Sequence, residues 1–596
     1  MPPSVDRNDA VSGSMASAES PVRRHGSNQG SYAVRNDARQ LRTADARDRA
    51  GEASAHRVVE PWWRGAIIYQ IYPRSFLDTN GDGVGDLPGV IARLDYIASL
   101  GVDAIWIAPF FRSPMADFGY DISDYREVDP LFGTLADFDH LLAQAHRRGL
   151  RVMIDQVLSH TSIEHPWFLE SRASRDNPRA DWYVWADPRP DGTPPNNWLS
   201  IFGGPAWTWE PRRQQYYLHN FLSSQPDLNF HNPEVPRAML EHVRFWLDRG
   251  VDGLRLDAIN FCFHDRELRD NPPKPGDQRV GRGFSPDNPY AYQYHWYNNT
   301  QPQNLAFLEQ LRALLEQYPG VAALGEIASE DSLATMAEYT RPGRLHMGYS
   351  FELLSDDFSS AHIRSTVAQL EHKLRDGWPC WAISNHDSMR VVSRWGGSDP
   401  SPRLATLLSA MACSLRGSVC VYQGEELGLP EAEVPFEALR DPYGIAFWPM
   451  FKGRDGCRTP MPWSDDTQGG FSAVAPWLPV PLAHRQRAVS HQEASTDSPL
   501  HAFRRFLRWR RQQPALRWGG IELLDLPEPL LAFVRRGGDE ALFVAFNLGA
   551  DAADVPVPLP ASSSLQPLYG HGLAEGRVDG GILRLPAYGA VFARID

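Results

Sequence analysis

Eight short, nearly unbroken apolar runs alternate with amphipathic stretches along this chain, and that alternation limits the folds open to it. The runs span residues 67–72, 103–108, 151–157, 251–257, 321–326, 346–351, 379–384 and 418–423. Runs of this length suit parallel strands buried on both faces. Between them, Leu135, Phe138, Leu141, Leu142 and Ala145 fall on one helical face, and Met239, Val243, Trp246 and Leu247 on another. Both helical patterns stop at an Arg-Gly pair, Arg148-Gly149 and Arg249-Gly250, where glycine suits the left-handed turn that ends a helix. Eight such repeats predict an α/β fold, a (β/α)8 TIM barrel. A doubly wound sheet is the alternative.

Charged motifs favour the closed barrel. Asp155-Gln-Val-Leu-Ser-His160, Gly253-Leu-Arg255-Leu-Asp257, Gly325-Glu326 and Asn385-His386-Asp387 sit at or just past the ends of apolar runs, and Gly119-Tyr120-Asp121 stands apart from them. A charge at a strand tip is costly in a core but natural at the mouth of a barrel, where several tips meet around one substrate.

The repeat is interrupted twice. About 90 residues separate the third and fourth runs, far more than a barrel loop and helix need. The stretch 161–230, rich in Trp, Pro and Asn, is expected to be a small inserted domain. A second insertion, 425–499, follows the eighth run. The barrel is therefore expected in two parts, 59–160 and 231–518. From 519 to 596, apolar and polar residues alternate around Gly turns, the pattern of an all-β sandwich. Residues 1–58 are rich in Ser, Arg, Asp and Ala, with Tyr32 their one aromatic, and are expected to form a disordered leader.

A net charge of −14 disfavours nonspecific binding to nucleic acid or an anionic membrane. No run is long enough to span a bilayer, and the first residues lack a secretory apolar stretch. Cys262, Cys380, Cys413 and Cys420 lie in or near apolar runs, so buried free thiols and a cytoplasmic location are expected.

Taken in order, the charged motifs resemble the four conserved regions of the α-amylase family of glycoside hydrolases. The resemblance spans roughly residues 62–596 and is closest to the branch of oligo-1,6-glucosidases and α-glucosidases. Tyr69-Gln-Ile-Tyr-Pro-Arg-Ser-Phe76, Gly119-Tyr-Asp-Ile-Ser-Asp-Tyr125, Gln225-Pro-Asp-Leu-Asn229 and Gly453-Arg-Asp-Gly-Cys-Arg-Thr-Pro-Met-Pro-Trp463 support it. It implies Asp257 as nucleophile with Arg255 as its support, Glu326 as general acid/base, and Asp387 as the carboxylate that steadies the transition state. It further implies that His160 and His386 bind sugar hydroxyls, that Asp155 is structural, and that Tyr120 is a platform under the sugar ring. Asp117 and Arg390 match an Asp and an Arg that exo-acting members pair to hold the outermost sugar. Ser159 departs from the Asn usual before the first His.

The chemistry needs these residue types. Hydrolysis with retention requires one carboxylate to attack C1 and one carboxylic acid to protonate the leaving oxygen, so two similar groups must differ in pKa. Arg255, two residues from Asp257 on one strand face, favours ionised Asp257; burial and nearby anions would raise Glu326. The expected activity is a retaining exo-α-glucosidase acting on short α-1,4-linked oligosaccharides such as maltose, with water or another sugar or alcohol as acceptor. An oligo-1,6-glucosidase or a dedicated glucosyltransferase is the alternative. Within this branch, the residue after the nucleophile tends to be Val in α-1,6-acting members; here it is Ala258. A non-catalytic barrel docked on a membrane partner would need a membrane span and broken carboxylates, and the sequence has neither.

One loop has oxygen ligands at alternate positions: Asp78-Thr-Asn80-Gly-Asp82-Gly-Val84-Gly-Asp86. This is the first half of an EF-hand pattern, but the EF-hand's final Glu position falls on Gly89. The resemblance implies a structural Ca²⁺ or Mg²⁺ on Asp78, Asn80, Asp82, the Val84 carbonyl and Asp86. A metal-free loop closed by Asx turns is the other reading. No organic cofactor is expected.

Overall fold

In a computed structural model, which describes residues 60–596 except 280–286, 399 and 561, the eight apolar runs become one closed barrel. Its strands are β1 (Ile67–Ile71), β2 (Ala104–Ile107), β3 (Arg151–Val157), β4 (Gly253–Asp257), β5 (Ala322–Glu326), β6 (Met347–Ser350), β7 (Pro379–Ala382) and β8 (Ser418–Tyr422). Each pairs in parallel with the next, and β8 closes on β1 with Val419 opposite Ile67. Successive residues of a strand point to opposite faces, so each strand feeds two cores. Ile68, Trp106, Met153, Leu324, Tyr349, Cys380 and Cys420 pack together inside the barrel. Ile67, Ile105, Ile154, Leu254 and Val421 pack against the surrounding helices.

The helix Leu135–Arg147 opens with a capping box between Thr134 and Asp137, which satisfies first-turn amides that would otherwise lack partners. It buries Phe138, Leu141, Leu142 and Ala145. The helix Glu234–Asp248 buries Val235, Met239, Val243, Trp246 and Leu247. Gly149 and Gly250, just past their ends, have φ of 74° and 94°. All five cysteines are free and buried.

Within 161–230, a three-stranded sheet runs in the order Trp185–Ala186, Gln215–Leu218, Trp207–Glu210 around its own small core of Val184, Trp198, Trp207 and Leu218. Backbone bridges from His160 to Asp227 and from Tyr183 to Leu228 tie its two ends together beside β3. The region 425–499 contains only short helices, among them Pro442–Ala446 and Asp455–Arg458. Beyond Gly520 two sheets bury Leu530, Phe543, Leu583, Leu585 and Val591 between them. The expected leader, 1–58, lies outside the described residues. Among the described residues, no helix is long and apolar enough to cross a membrane.

Candidate active site

On several strands the inward set continues at the C-terminal end as polar residues. Met153 is followed two residues on by Asp155, Gly253 by Arg255 and then Asp257, Leu324 by Glu326, and Ile68 by Gln70. Register places Asp155 beside Arg255 and Val157 beside Asp257 on neighbouring strands. The side chains that sequence reasoning placed at strand tips therefore converge at one mouth.

Arg255 is the hub. Fully buried, its Nη1 donates to Asp155 Oδ1 at 2.9 Å and to Asp257 Oδ1 at 2.6 Å, and its Nη2 donates to Glu326 Oε1. Its guanidinium carbon lies 4.9 Å from the Trp106 ring, a contact that favours a desolvated cation. Burial pushes the Asp257 carboxyl up to about 7 although Arg255 opposes the shift. Burial pushes Glu326 further, to about 8, with Asp257 and Asp387 adding to the rise and Arg255 opposing it. Asp257 is thus the more acidic of the two.

Asp387 is the opposite case. Burial would raise it, but Arg458 Nη2 at 2.7 Å and Arg454 Nη1 at 3.2 Å hold it well below the usual carboxylate range. His386 lies 3.2 Å from its other oxygen. Burial lowers His386 to about 3, so the ring is neutral near pH 7 and the arginines supply the charge. Gln70 Nε2 donates to His386 Nδ1 at 2.7 Å, which leaves the proton on Nε2, facing the Tyr120 hydroxyl at 2.7 Å. The Tyr120 hydroxyl in turn donates to Asp155 at 3.2 Å, and the Tyr120 and His386 rings stack at 5°.

His160 is buried, and both ring nitrogens have protein partners. Nε2 donates to the Tyr120 carbonyl at 3.1 Å, and Nδ1 faces the Ser159 hydroxyl at 3.0 Å. Ser159, the departure from the usual Asn, thus has a contact of its own.

The expected pairing of Asp117 with Arg390 is not what the structure contains. Arg390 turns away, donating to the Gln423 and Cys457 carbonyls at 3.0 and 2.9 Å and lying over the Tyr422 ring. It ties β8 to the following insertion. Asp117 is bound instead by Arg454 Nη2 at 3.0 Å and by Gln225 Nε2 at 3.2 Å. Arg454, Arg458 and Gln225 were missed as site residues although all three lie in quoted motifs. The signal was the spacing Arg454–Arg458, which on the short helix Asp455–Arg458 and its cap sends both side chains the same way.

The acidic loop lies in the connection from β1 to β2. Asp78 accepts from the amides of Asn80, Gly81 and Gly83 and from the Ser472 hydroxyl. Asn80 and Asp82 each accept from the amide two residues on. Asp86 caps the helix Leu87–Ala92 through the Gly89 amide and also binds Thr79. These are hard oxygen donors of the kind Ca²⁺ and Mg²⁺ take. Among the described residues, no three His, Cys, Asp or Glu side chains gather into a metal cluster. A cation here would draw on Asn80 and the Val84 carbonyl as well as the acids.

Comparison with known proteins agrees with this geometry. The sequence model of the α-amylase catalytic domain matches residues 70–519. A probable α-glucosidase of Rhizobium meliloti (strain 1021) is 56% identical over 538 residues, 90% of this chain and 97% of the relative. An oligo-1,6-glucosidase of Heyndrickxia coagulans is 38% identical over 83% of this chain and 94% of its own. The solved structure of the α-glucosyl transfer enzyme XgtA superposes with a TM-score of 0.89 at 67% identity, covering 90% of this chain and all of that one. With a closed barrel, carboxylates at its strand tips and a matching catalytic domain, the chain belongs to the α-amylase family of glycoside hydrolases.

Proposed function

We propose that this protein is a retaining exo-α-glucosidase that releases α-glucose from the non-reducing end of short α-1,4-linked oligosaccharides such as maltose. The observation that carries this reading is the bridge made by Arg255, whose two terminal nitrogens contact Asp257 and Glu326. Two carboxylates held by the two ends of one guanidinium support the short separation of a retaining pair over the roughly 6.5–9.5 Å of an inverting one.

In the first step, an Asp257 oxygen bonds to C1 as the bond from C1 to the leaving sugar breaks. Glu326 gives its proton to the departing oxygen. In the second, Glu326, now a carboxylate, takes a proton from water as that water attacks C1 and frees Asp257. Two inversions give net retention. Asp387, kept ionised by Arg454 and Arg458, would hold ring hydroxyls more tightly as the ring flattens. Tyr120 and His386 would flank the same ring. The buried pair Asp117–Arg454 would close the far end of the pocket, which suits removal of terminal units.

A sugar or alcohol replacing water in the second step would give transglucosylation, and the likeness to a glucosyl-transferring enzyme supports that capacity. The small Ala258 supports α-1,4 over α-1,6 linkages. The loop Asp78–Asp86 would hold a structural Ca²⁺ or Mg²⁺, supported by its all-oxygen donors. Five free buried cysteines fit a cytoplasmic protein. Incubation with maltose, isomaltose, sucrose, trehalose and starch, followed by product analysis, tests the reading. Release of glucose with α-configuration from maltose is expected; starch degraded fastest, or β-glucose as first product, would overturn it.

A further inference from the structure

Arg454 is itself held by a carboxylate that no motif marks. Asp441, fully buried in the insertion after β8, accepts from Arg454 three times. Its Oδ1 takes Nη2 at 2.8 Å, and its Oδ2 takes Nε at 3.1 Å and the Arg454 main-chain amide at 2.8 Å. A bidentate grip of this kind fixes the plane of a guanidinium as well as its position. Nη2 is shared, also donating to Asp117 at 3.0 Å, while Nη1 donates to Asp387 at 3.2 Å. Phe202, from the inserted domain, lies 5.1 Å from the guanidinium carbon.

The two backbone segments are tied in both directions. Asp455, the residue after Arg454, accepts from the amides of Arg440 and Asp441 at 2.6 and 2.9 Å. Two glycines permit the approach. A Cβ on Gly453, whose φ is 77°, would lie 2.7 Å from an Asp441 carboxylate oxygen and 2.6 Å from the Gly444 Cα. One on Gly444 would lie 2.6 Å from the Lys452 carbonyl oxygen. Burial would raise Asp441, but the Arg454 charge holds it down to about 2, so it is an anion at any working pH.

We infer that Asp441 is a positioning residue for sugar recognition: it aims Arg454 at Asp117 and Asp387 and so sets how tightly the pocket holds the terminal ring. This rests on the glucosidase reading above. Asp441 also caps the helix Pro442–Ala446 through the Tyr443 amide at 3.2 Å, so a merely structural role must be separated from the positioning one.

Asp441→Asn does so, because Asn caps helices as well as Asp and keeps the shape. It removes the charge and replaces one acceptor with an amide that faces Arg454 donors. The variant should stay folded but melt lower for want of the buried charge pair, with KM for maltose raised about tenfold or more and kcat changed much less. In an Arg454→Ala background the same change should add nothing further to KM, since the effect passes through Arg454. A wild-type KM in Asp441→Asn, or a full additional loss in the double variant, would overturn the inference. If the wild type cleaves no α-glucoside, the functional reading falls, and a crystal structure of Asp441→Asn decides the positioning role. Arg454 displaced from Asp117 upholds it; Arg454 unmoved rejects it.

Discussion

The main-chain amide of Ala258 donates to Glu326 Oε2 at 3.0 Å, joining the turn after β4 to the carboxylate at the tip of β5. Ala258 achieves this in a left-handed conformation, φ 40° and ψ 44°, which L-residues with a Cβ rarely adopt. The strain is held by neighbours. Asn260, two residues on, donates to the Ala328 carbonyl at 2.7 Å and accepts from the Ala328 amide at 3.2 Å. The separation of the two carboxylates is thus fixed by backbone and side-chain links as well as by Arg255.

The pH–rate profile should be bell-shaped, because the proposed mechanism needs Asp257 ionised and Glu326 protonated. With Asp257 raised to about 7 and Glu326 to about 8, the acid limb belongs to the loss of Asp257's proton and the basic limb to the loss of Glu326's. Glu326→Gln should abolish the basic limb and keep most of its residual activity on substrates with good leaving groups. Asp257→Asn should remove turnover on all of them. Profiles of kcat/KM for the three proteins check this; an unchanged basic limb in Glu326→Gln would remove the acid role.

The same shift predicts a stability effect. A carboxyl whose folded pKa lies above its unfolded value binds more protons in the folded state, so its contribution is full below the unfolded pKa and falls as pH rises through about 8. Gln does not titrate. Glu326→Gln should therefore gain melting temperature relative to the wild type at pH 9 compared with pH 5. Parallel melting curves at both pH values would contradict the buried, raised acid.

Arg454 and Arg390 should fail differently. Arg454→Ala strips Asp117, Asp387 and Asp441 of a shared cation, a buried-charge loss of about 3–5 kcal/mol, and should raise KM sharply in what remains folded. Arg390→Ala takes its donor from the buried Gln423 carbonyl and leaves the Cys457 carbonyl with the Tyr422 hydroxyl alone, a cost of about 1–3 kcal/mol, and should lower the melting temperature with KM nearly unchanged. Melting and steady-state kinetics on both variants compare the two. A large KM effect from Arg390 alone would restore it to the sugar pocket.

The barrel was legible because burial on both strand faces writes unbroken apolar runs, and strand parity then tells which tip residues turn inward. The partner of Asp117 was not, because it lies 337 residues away on an insertion with no periodic pattern. Arg390 stood in a persuasive place beside His386-Asp387, yet its side chain reaches back to β8. Asp441 had no local signal at all; its contact with Arg454 depends on a close approach of two segments at Gly453 and Gly444. The left-handed turn at Ala258 was equally hidden, since alanine gives no hint of positive φ.

The acidic loop makes a separate prediction. Its carboxylates already close Asx turns with their own amides, so the loop can keep its shape alone; a bound cation would add to that by favouring the folded state. Chelation and Asp82→Ala should each lower the melting temperature, while kcat of the folded enzyme stays near the wild-type value. Equal melting with and without Ca²⁺ or Mg²⁺ would assign the loop to Asx turns alone.

The proposed preference for α-1,4 linkages rests on Ala258, and a substitution there would act in two ways. A Val there would crowd the site of the leaving sugar, which an α-1,4-linked ring needs and an α-1,6-linked ring, carried on an extra methylene, avoids. One or two side-chain carbons are worth about 1–3 kcal/mol, roughly 10- to 200-fold in kcat/KM. A β-branched residue also resists φ near 40°, so Val would strain the turn and pull its amide from Glu326. The first effect is selective and the second is not. Ala258→Val should therefore slow both substrates, maltose more than isomaltose, while Ala258→Gly, which relieves the strain and leaves the space open, should keep the maltose preference. Measuring kcat/KM for both sugars on all three proteins separates the terms: an unchanged ratio in the Val variant would remove the steric argument, and an undiminished isomaltose rate would remove the strain argument.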